Sequence, residues 1–220
     1  MIESRMISIP FWGIAVVFLF LNGPAYCDVI DVPSVVTPER ITGSKPRNVV
    51  FILSDDHRYD AMSFMGHPIA ETPQLDALAA GGVHLKNAFV TTSLCSPSRA
   101  SILTGLYTFR HRVIDNQRPV PAGTLFFPQY LQKAGYRTGF VGKWHAKMPR
   151  GWKAADHFDV YQPIGRNPFY KKQPDGSLRH ETELIMDRGI EFIGNQPKGK
   201  PFALNMWFNA CHAEDGDRRP

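Results

Sequence analysis

Cysteine is scarce in this sequence, with three residues among 220. Small secreted folds that depend on disulfide frameworks carry more, so this fold must rest on the burial of apolar side chains. Blocks of Lys and Arg with interleaved aromatic residues are also absent, which argues against a nucleic-acid-binding protein. We find no internal repeat or low-complexity tract, and the 43% hydrophobic content excludes disorder as the general state of the chain.

The charge balance is mildly positive. The formal net charge is +5 at pH 7, and the excess of Lys and Arg is spread along the chain rather than gathered into runs. Such a distribution favours anionic ligands without marking any one surface as their binding site.

The chain also lacks a long hydrophobic run. The apolar run at residues 11–21 is shorter than the roughly 20 residues of a membrane-spanning helix. Arg5 precedes it and the small-residue stretch 22–25 follows, a pattern typical of a secretory signal peptide. We predict a signal peptide at residues 1–27, cleaved after Cys27, then a linker at 28–46 and a folded domain at 47–220. The protein is therefore expected to be exported, to the periplasm or the extracellular medium, without a stable membrane anchor; an uncleaved anchor and a lipoprotein signal are the alternatives.

Apolar runs and turn-forming residues alternate along the folded domain and predict strands and helices in turn. The strands are predicted at residues 48–53, 83–90, 136–141 and 201–208, and the first is expected to be buried. The helices are predicted at residues 72–81, 124–134 and 181–193, with another that opens at Ser96 and Pro97 and stops at Gly105. Residues 146–180 are dense in Pro, Gly and aromatics and are expected to form long loops. This order predicts an α/β fold, a mostly parallel sheet flanked by helices, with its ligand crevice beyond the carboxyl ends of the strands.

Two acidic residues follow the first predicted strand directly. Asp55 and Asp56 are adjacent, and neighbouring carboxylates repel each other unless a cation or a basic partner offsets their charge. The pair therefore indicates a hard divalent metal ion bound by oxygen ligands. Solvated loop residues or helix caps are the alternative interpretation of this motif.

A cysteine and an arginine lie at the start of the helix that opens at Ser96. Cys95 comes just before it and Arg99 one turn along. The backbone N–H groups of a helix N-terminus, together with a fixed guanidinium, favour an anionic ligand. A buried apolar cysteine, or a disulfide between Cys95 and Cys211, is the alternative.

Cationic and imidazole side chains follow the last two predicted strands. Lys143 and His145 come after the strand at residues 136–141, and His212 comes after the strand at residues 201–208. A single histidine in a loop is more often structural than catalytic. Because all these strand ends are expected to meet at one crevice, the set combines metal-binding, nucleophilic and proton-transfer groups in one place.

Two stretches of the sequence carry long motifs in a fixed order. Residues 93–105 read SLCSPSRASILTG, with a Cys-x-Pro-x-Arg core, and residues 135–145 read GYRTGFVGKWH. Both resemble the signature sequences of the type I sulfatases, in the alkaline-phosphatase-like superfamily, with the pair Asp55 and Asp56 upstream. The resemblance covers residues 47–212, and it implies that residues 47–220 are the N-terminal part of a sulfatase catalytic domain with that fold.

The resemblance also implies a modified nucleophile and a metal ion. A separate formylglycine-generating enzyme would read Cys95, Pro97 and Arg99 in the unfolded chain and oxidise Cys95 to formylglycine. The hydrated aldehyde would attack the sulfur of a sulfate ester, and Arg99 would hold that hydrate. Asp55, Asp56 and residue 95 would be ligands of a calcium ion.

The remaining candidate residues take their implied roles from the same resemblance. Lys143 would bind sulfate, and His145 would stabilise the aldehyde hydrate and assist its breakdown. His212 resembles the histidine that helps to protonate the leaving alcohol. The substrate would be a sulfated small molecule or glycan, either a carbohydrate or an aryl sulfate.

Sulfatases carry further parts downstream: an Asp-Asn pair that completes the calcium site, another lysine on the sulfate, and a smaller C-terminal domain. We therefore expect this chain to be truncated relative to the family and incomplete for activity. Two other functions remain open. One is a phosphonate or phosphate monoester hydrolase, because sites of this superfamily accept tetrahedral anions of either element. The other is a non-catalytic, truncated sulfatase-like protein that at most binds sulfated glycans weakly through its positive charge.

The signal-peptide prediction is tested by N-terminal sequencing of the mature protein. We expect residues 1–27 to be missing from exported material, because the apolar run and the small residues after it form a cleavable signal. A cytoplasmic product that retains these residues would contradict the prediction.

Overall fold

The computed structural model describes residues 38–39 and 41–213, so the predicted signal peptide lies outside the described residues. The strands are β1 (Val49–Leu53), β2 (Arg137–Gly142), β3 (Val160–Pro163), β4 (Tyr170–Lys172), β5 (Leu178–His180) and β6 (Phe202–Trp207). The helices are α1 (Pro73–Gly81), α2 (Cys95–Thr104), α3 (Thr108–His111), α4 (Phe127–Lys133) and α5 (Glu181–Gly194). In this part of the chain, no helix has the length and apolar character that a membrane span requires.

The main sheet consists of four parallel strands in the order β1-β6-β2-β3. Every residue of β6 is buried, as is every residue of β2 after Arg137. Continuous burial of this kind is typical of parallel strands that are covered on both faces. Strands β4 and β5 form a separate antiparallel pair. The expected α/β fold with a mostly parallel sheet is confirmed, and the carboxyl ends of β1, β6 and β2 meet at one edge of it.

Helices cover both faces of the sheet, each through its own apolar cluster. One cluster joins β2 and β6 to α2 and to the residue before α4; it includes Ala100, Leu103, Phe126, Phe140 and Trp207. The other joins the same two strands to α5; it includes Val141, Ile185, Phe192, Leu204 and Met206. Consecutive residues of β2 therefore point to opposite faces, as the period of a strand requires. Burial of each large side chain contributes about 1.5–3 kcal/mol, so these two strands are the best-anchored part of the fold.

Strand β2 ends at Gly142, where the backbone passes close to β6. The φ angle of Gly142 is +107°, and a Cβ atom there would lie 1.9 Å from the carbonyl oxygen of Trp207. That same oxygen accepts a hydrogen bond from the backbone N–H of Lys143 at 2.8 Å. Only glycine fits this position, and the turn that it allows begins the segment that carries Lys143 and His145.

The predicted strand at residues 83–90 is wrong. These residues form no strand, and Val83 and Phe89 are 86% and 88% exposed. Their alternation of apolar residues slips in phase between Leu85 and Ala88, so neither face of the segment is apolar throughout. The chain therefore reaches Cys95 from a loop and not from the end of a strand.

Two other expectations differ from the structure. Strand β1 is parallel as expected but lies at the edge of the described sheet, and Ile52 is 60% exposed where burial was predicted. Residues 146–180 were expected to be loops, yet they contain β3 and the pair β4 and β5. Because that stretch is dense in Pro, Gly and aromatic residues, the sequence pattern of its three short strands cannot be recognised. The other predicted strands and helices are present with small shifts at their ends.

The close approach at Gly142 predicts a large effect of one methyl group. We expect Gly142→Ala to lower the free energy of unfolding by about 3 kcal/mol or more, because the new Cβ meets a backbone oxygen at a left-handed φ. Gly194→Ala is the control: Gly194 ends α5 with nothing within 4 Å of an added Cβ, and we expect a change below about 1 kcal/mol. Urea denaturation measures both, and equal stability of the two variants would contradict the interpretation.

Candidate active site

A pocket of about 580 Å³ opens where the carboxyl ends of β6 and β2 meet the first turn of α2. Its lining includes Cys95, Lys143, His145, Arg166, Asn209 and His212. Backbone hydrogen bonds hold the loops after β1 and β6 side by side: the N–H of Asp55 donates to Ala210 at 2.9 Å, and the N–H of Cys211 donates to Asp55 at 2.8 Å. The predicted convergence therefore occurs for the ends of β1, β6 and β2, while Cys95 joins them from the start of α2 and not by way of a fourth strand.

The carboxylate of Asp55 lies between two cationic side chains. Its Oδ2 accepts a short hydrogen bond from Lys143 Nζ and lies 3.6 Å from Arg99 Nη2. All three residues are buried, with 7%, 8% and 2% of Asp55, Lys143 and Arg99 exposed. A buried carboxylate is stable only when it is paired, and here two positive charges surround one negative charge. The cluster therefore has an excess of positive charge beside the pocket.

Arg99 is fixed on several sides. Its Nη1 donates to the carbonyl oxygen of Lys143 at 2.9 Å, and its guanidinium carbon lies 4.9 Å from the centre of the Trp207 ring. Burial lowers the pKa of Arg99, while the charge of Asp55 opposes that shift. A guanidinium stays protonated in proteins, so Arg99 is a permanent, rigid cation of the site.

Cys95 is the first residue of α2, whereas the sequence analysis placed it just before a helix that opens at Ser96. Its Sγ lies 3.6 Å from Lys143 Nζ. The free N–H groups of a helix N-terminus favour negative charge, and the nearby ammonium adds to that effect. Cys95 and Cys211 are both free, so the alternative of a disulfide between them is not realised in the structure.

His145 lines the pocket on a strained backbone. Its φ angle is +47°, and its carbonyl oxygen accepts a hydrogen bond from Ser96 Oγ at 2.5 Å, which ties it to α2. Partial burial, followed by the positive charges of Lys143 and Arg99, lowers the pKa of His145. The imidazole is therefore neutral at pH 7 and able to accept a proton.

His212 and Asp56 form the other side of the site. His212 Nε2 lies 3.4 Å from Asp56 Oδ2. The guanidinium of Arg166 also contacts the ring, with Nη1 2.8 Å from Nε2. Asp56 is largely exposed and contacts His212, whereas Asp55 faces Lys143 and Arg99, so the two adjacent carboxylates point to different partners.

A cation would find ligands where Asp55, Cys95 and His212 meet, since one ligand atom of each lies within 4.8 Å of the others. Carboxylate oxygens of Asp55 and Asp56 are the donors that calcium prefers, whereas a thiolate and an imidazole suit softer metals. Of the two carboxylates only Asp55 belongs to this group, because Asp56 contacts His212 instead. The donor set therefore fits calcium at Asp55, and at residue 95 only once its sulfur is replaced by oxygen.

Two polar residues that line the pocket, and a third that is hydrogen-bonded to one of them, were not predicted from the sequence. Arg166 follows β3, inside the stretch that was expected to be irregular. Asn209 and Glu181 are fully buried and hydrogen-bonded to each other at 2.6 Å. The position of Asn209 directly after a predicted strand was the one available signal.

Comparison with known proteins agrees with this geometry. The family model described as Sulfatase matches residues 47–220. An N-acetylglucosamine-6-O-sulfatase of Bacteroides thetaiotaomicron is 31% identical over 191 residues, covering 83% of this chain and 34% of that protein. The human N-acetylgalactosamine-6-sulfatase is 29% identical over 211 residues, covering 77% of this chain and 40% of the relative. This chain thus spans a third to two fifths of the length of these relatives.

Solved structures show the same fold. One, in complex with its substrate D-glucosamine-2-N,6-O-disulfate, has a TM-score of 0.65 at 31% identity and covers 76% of this chain and 35% of its own. The phosphonate monoester hydrolase of Agrobacterium radiobacter has a TM-score of 0.64 at 25% identity, with 76% of this chain and 42% of its own covered. The family model, the relatives and the fold agree, and the chain belongs to the sulfatase family.

Proposed function

We propose that the protein to which this chain belongs hydrolyses sulfate esters, with residue 95 as the nucleophile after oxidation of Cys95 to formylglycine. The observation that carries the proposal is the position of Cys95 in the pocket, at the start of α2 and 3.6 Å from Lys143 Nζ. It lies inside the motif that resembles the first sulfatase signature. Membership of the sulfatase family supports the reaction class.

The positive excess around Asp55 is suited to a sulfate group. Lys143 and Arg99 each offer N–H donors near residue 95. Both cations contact Asp55, but its single negative charge balances only one of them, so a sulfate ester would supply the second negative charge. In a buried site such fixed charges act without the reorganisation that water would need. We assign Lys143 to the sulfate and Arg99 to the oxygen atoms on residue 95.

The two histidines suit the proton transfers. His145, neutral at pH 7 because its pKa is lowered, is able to take a proton from a hydroxyl at residue 95. His212 lines the same pocket from the β6 side, which supports assigning to it the protonation of the leaving alcohol. Asp55, Asp56 and residue 95 would hold the calcium ion, which when bound polarises sulfate oxygens.

The names of the relatives favour a sulfated carbohydrate as the substrate. Two of them act, by name, on 6-sulfated amino sugars, and one solved structure holds a disulfated glucosamine. Arg166 adds a further cationic group to the lining of the pocket. We therefore propose a sulfated glycan or sulfated sugar as substrate, in an exported protein.

A phosphonate or phosphate monoester hydrolase is the second candidate, because the fold is shared with a phosphonate monoester hydrolase. The same cations accept either tetrahedral anion. The sulfatases reach a higher sequence identity, 31% against 25% for that hydrolase.

The proposed function predicts, first, that Cys95 is oxidised. When the chain is co-expressed with a formylglycine-generating enzyme, we expect the Cys95 peptide to carry an aldehyde, detected by mass spectrometry with a carbonyl-reactive probe. Cys211 is the internal control and is expected to remain a thiol, because it has no Pro and Arg at the spacing found at Pro97 and Arg99. A Cys95 peptide found only as thiol or disulfide would count against the assignment.

Selectivity for sulfur over phosphorus is the second prediction. We expect the oxidised chain to hydrolyse 4-nitrophenyl sulfate faster than an aryl phosphonate, with rates measured against Cys95→Ala as background. Turnover is expected to be slow, because Asp55 and Asp56 offer few of the roughly 6 to 8 oxygen ligands that calcium takes. Faster phosphonate hydrolysis would favour the second candidate, whereas no hydrolysis of either ester above background is the result expected of a chain that is incomplete for activity.

A further inference from the structure

Glu181 is a fully buried acidic residue behind the pocket. It is the first residue of α5 and has 0% of its surface exposed. Its Oε2 accepts a hydrogen bond from Asn209 Nδ2 at 2.6 Å, while its Oε1 has no hydrogen-bond partner among the described residues. Burial raises the pKa of Glu181. An apolar residue of similar size is often tolerated at least as well at such a position, so packing of α5 alone does not account for a carboxyl group here.

Asn209, the partner of Glu181, connects three segments. It is fully buried just after β6. Its Nδ2 also donates to the carbonyl oxygen of Ile164, after β3, at 3.4 Å. Its backbone carbonyl oxygen accepts a hydrogen bond from the backbone N–H of His212 at 2.9 Å. The side chain of Asn209, held by Glu181, thus joins the start of α5 to the segment after β3, and the backbone of the same residue closes the turn that carries His212.

The segment after β3 and the turn that carries His212 meet in the pocket. Arg166 lies two residues beyond Ile164, and its Nη1 is 2.8 Å from Nε2 of His212. Both side chains line the pocket together with Cys95. The position of the His212 ring therefore depends on two loops, and Asn209 bonds to both.

We propose that Glu181 is a positioning residue, which acts through Asn209 to set the place of the His212 ring in the pocket. The link from Glu181 to His212 is a property of the fold; its value for catalysis rests on the proposed function, in which His212 protonates the leaving alcohol. A second acidic residue on the same helix gives a contrast. Glu183 is exposed and pairs with Arg179 at 3.3 Å, away from Asn209.

The test is NMR of the histidine ring signals of the chain at one fixed pH, with His212 assigned from its loss in His212→Gln. Glu181→Leu keeps a similar size but removes the acceptor for Asn209, and we expect it to shift the His212 signals more than those of His111, which bonds to Ser101 instead. Glu181→Gln keeps an acceptor oxygen for Asn209, and its His212 signals should therefore stay close to those of the unsubstituted chain. Glu183→Leu is the matched control and should leave them unchanged.

Asn209→Ser removes the other partner of the same hydrogen bond, and we expect it to shift the ring signals of His212 as Glu181→Leu does. If Glu181→Leu does not fold, Asn209→Ser replaces it in the test. The proposal is overturned if His212 keeps its signals in a folded variant that lacks the Glu181–Asn209 bond, or if Glu181→Gln or Glu183→Leu shifts them as far as Glu181→Leu. The NMR measurement needs no turnover and is separate from the sulfatase assay. If that assay fails, the NMR result still decides whether Glu181 positions His212.

Discussion

The carboxylate of Asp55, buried between the ammonium group of Lys143 and the guanidinium of Arg99, is the interaction around which the site is built. Each of these groups would be costly to bury alone, and charges interact more strongly here than in water. They come from three elements, the ends of β1 and β2 and the first turns of α2, so the parallel sheet must hold its strand ends in register for the cluster to form. Two cations for one carboxylate leave an excess positive charge, which is suited to an anionic ligand. A surface loop could not keep these groups together, and the site accordingly lies where the buried strands β2 and β6 end.

Much of this fold could be predicted from the sequence, because its central strands are continuous apolar runs. Strands β2 and β6 are buried on both faces, and such strands leave a clear signal. Strand β3 could not be found, because it is short and only partly buried, in a stretch dense in turn-forming residues. The opposite error occurred at residues 83–90, where apolar residues suggested a strand although Val83 and Phe89 are exposed. Periodicity reports which residues could share a face, but whether a neighbouring strand is there to pair with them is decided by the tertiary structure.

Site residues could be predicted where a suitable residue type lies at the end of a strand. They could not be predicted where their role depends on burial in the tertiary structure. Asp55, Lys143 and Cys95 lie at ends of elements or in recognisable motifs, and the structure brings them into contact. Glu181 has the sequence signature of an ordinary acidic residue in the first turn of a helix, which normally faces solvent. Nothing local distinguishes it from Glu183, and only the packing of α5 against β6 buries one and exposes the other.

The claim that this cluster binds a sulfate group is tested most directly by calorimetric titration of inorganic sulfate into two variants. Lys143→Met removes the buried ammonium beside Asp55 and keeps the length of the side chain, while Lys147→Met makes the same change at an exposed position four residues later. The account predicts that Lys147→Met binds sulfate as the unsubstituted chain does and that Lys143→Met loses about tenfold or more in affinity, on the order of one charge-assisted hydrogen bond. Equal sulfate affinity in the two variants would contradict it.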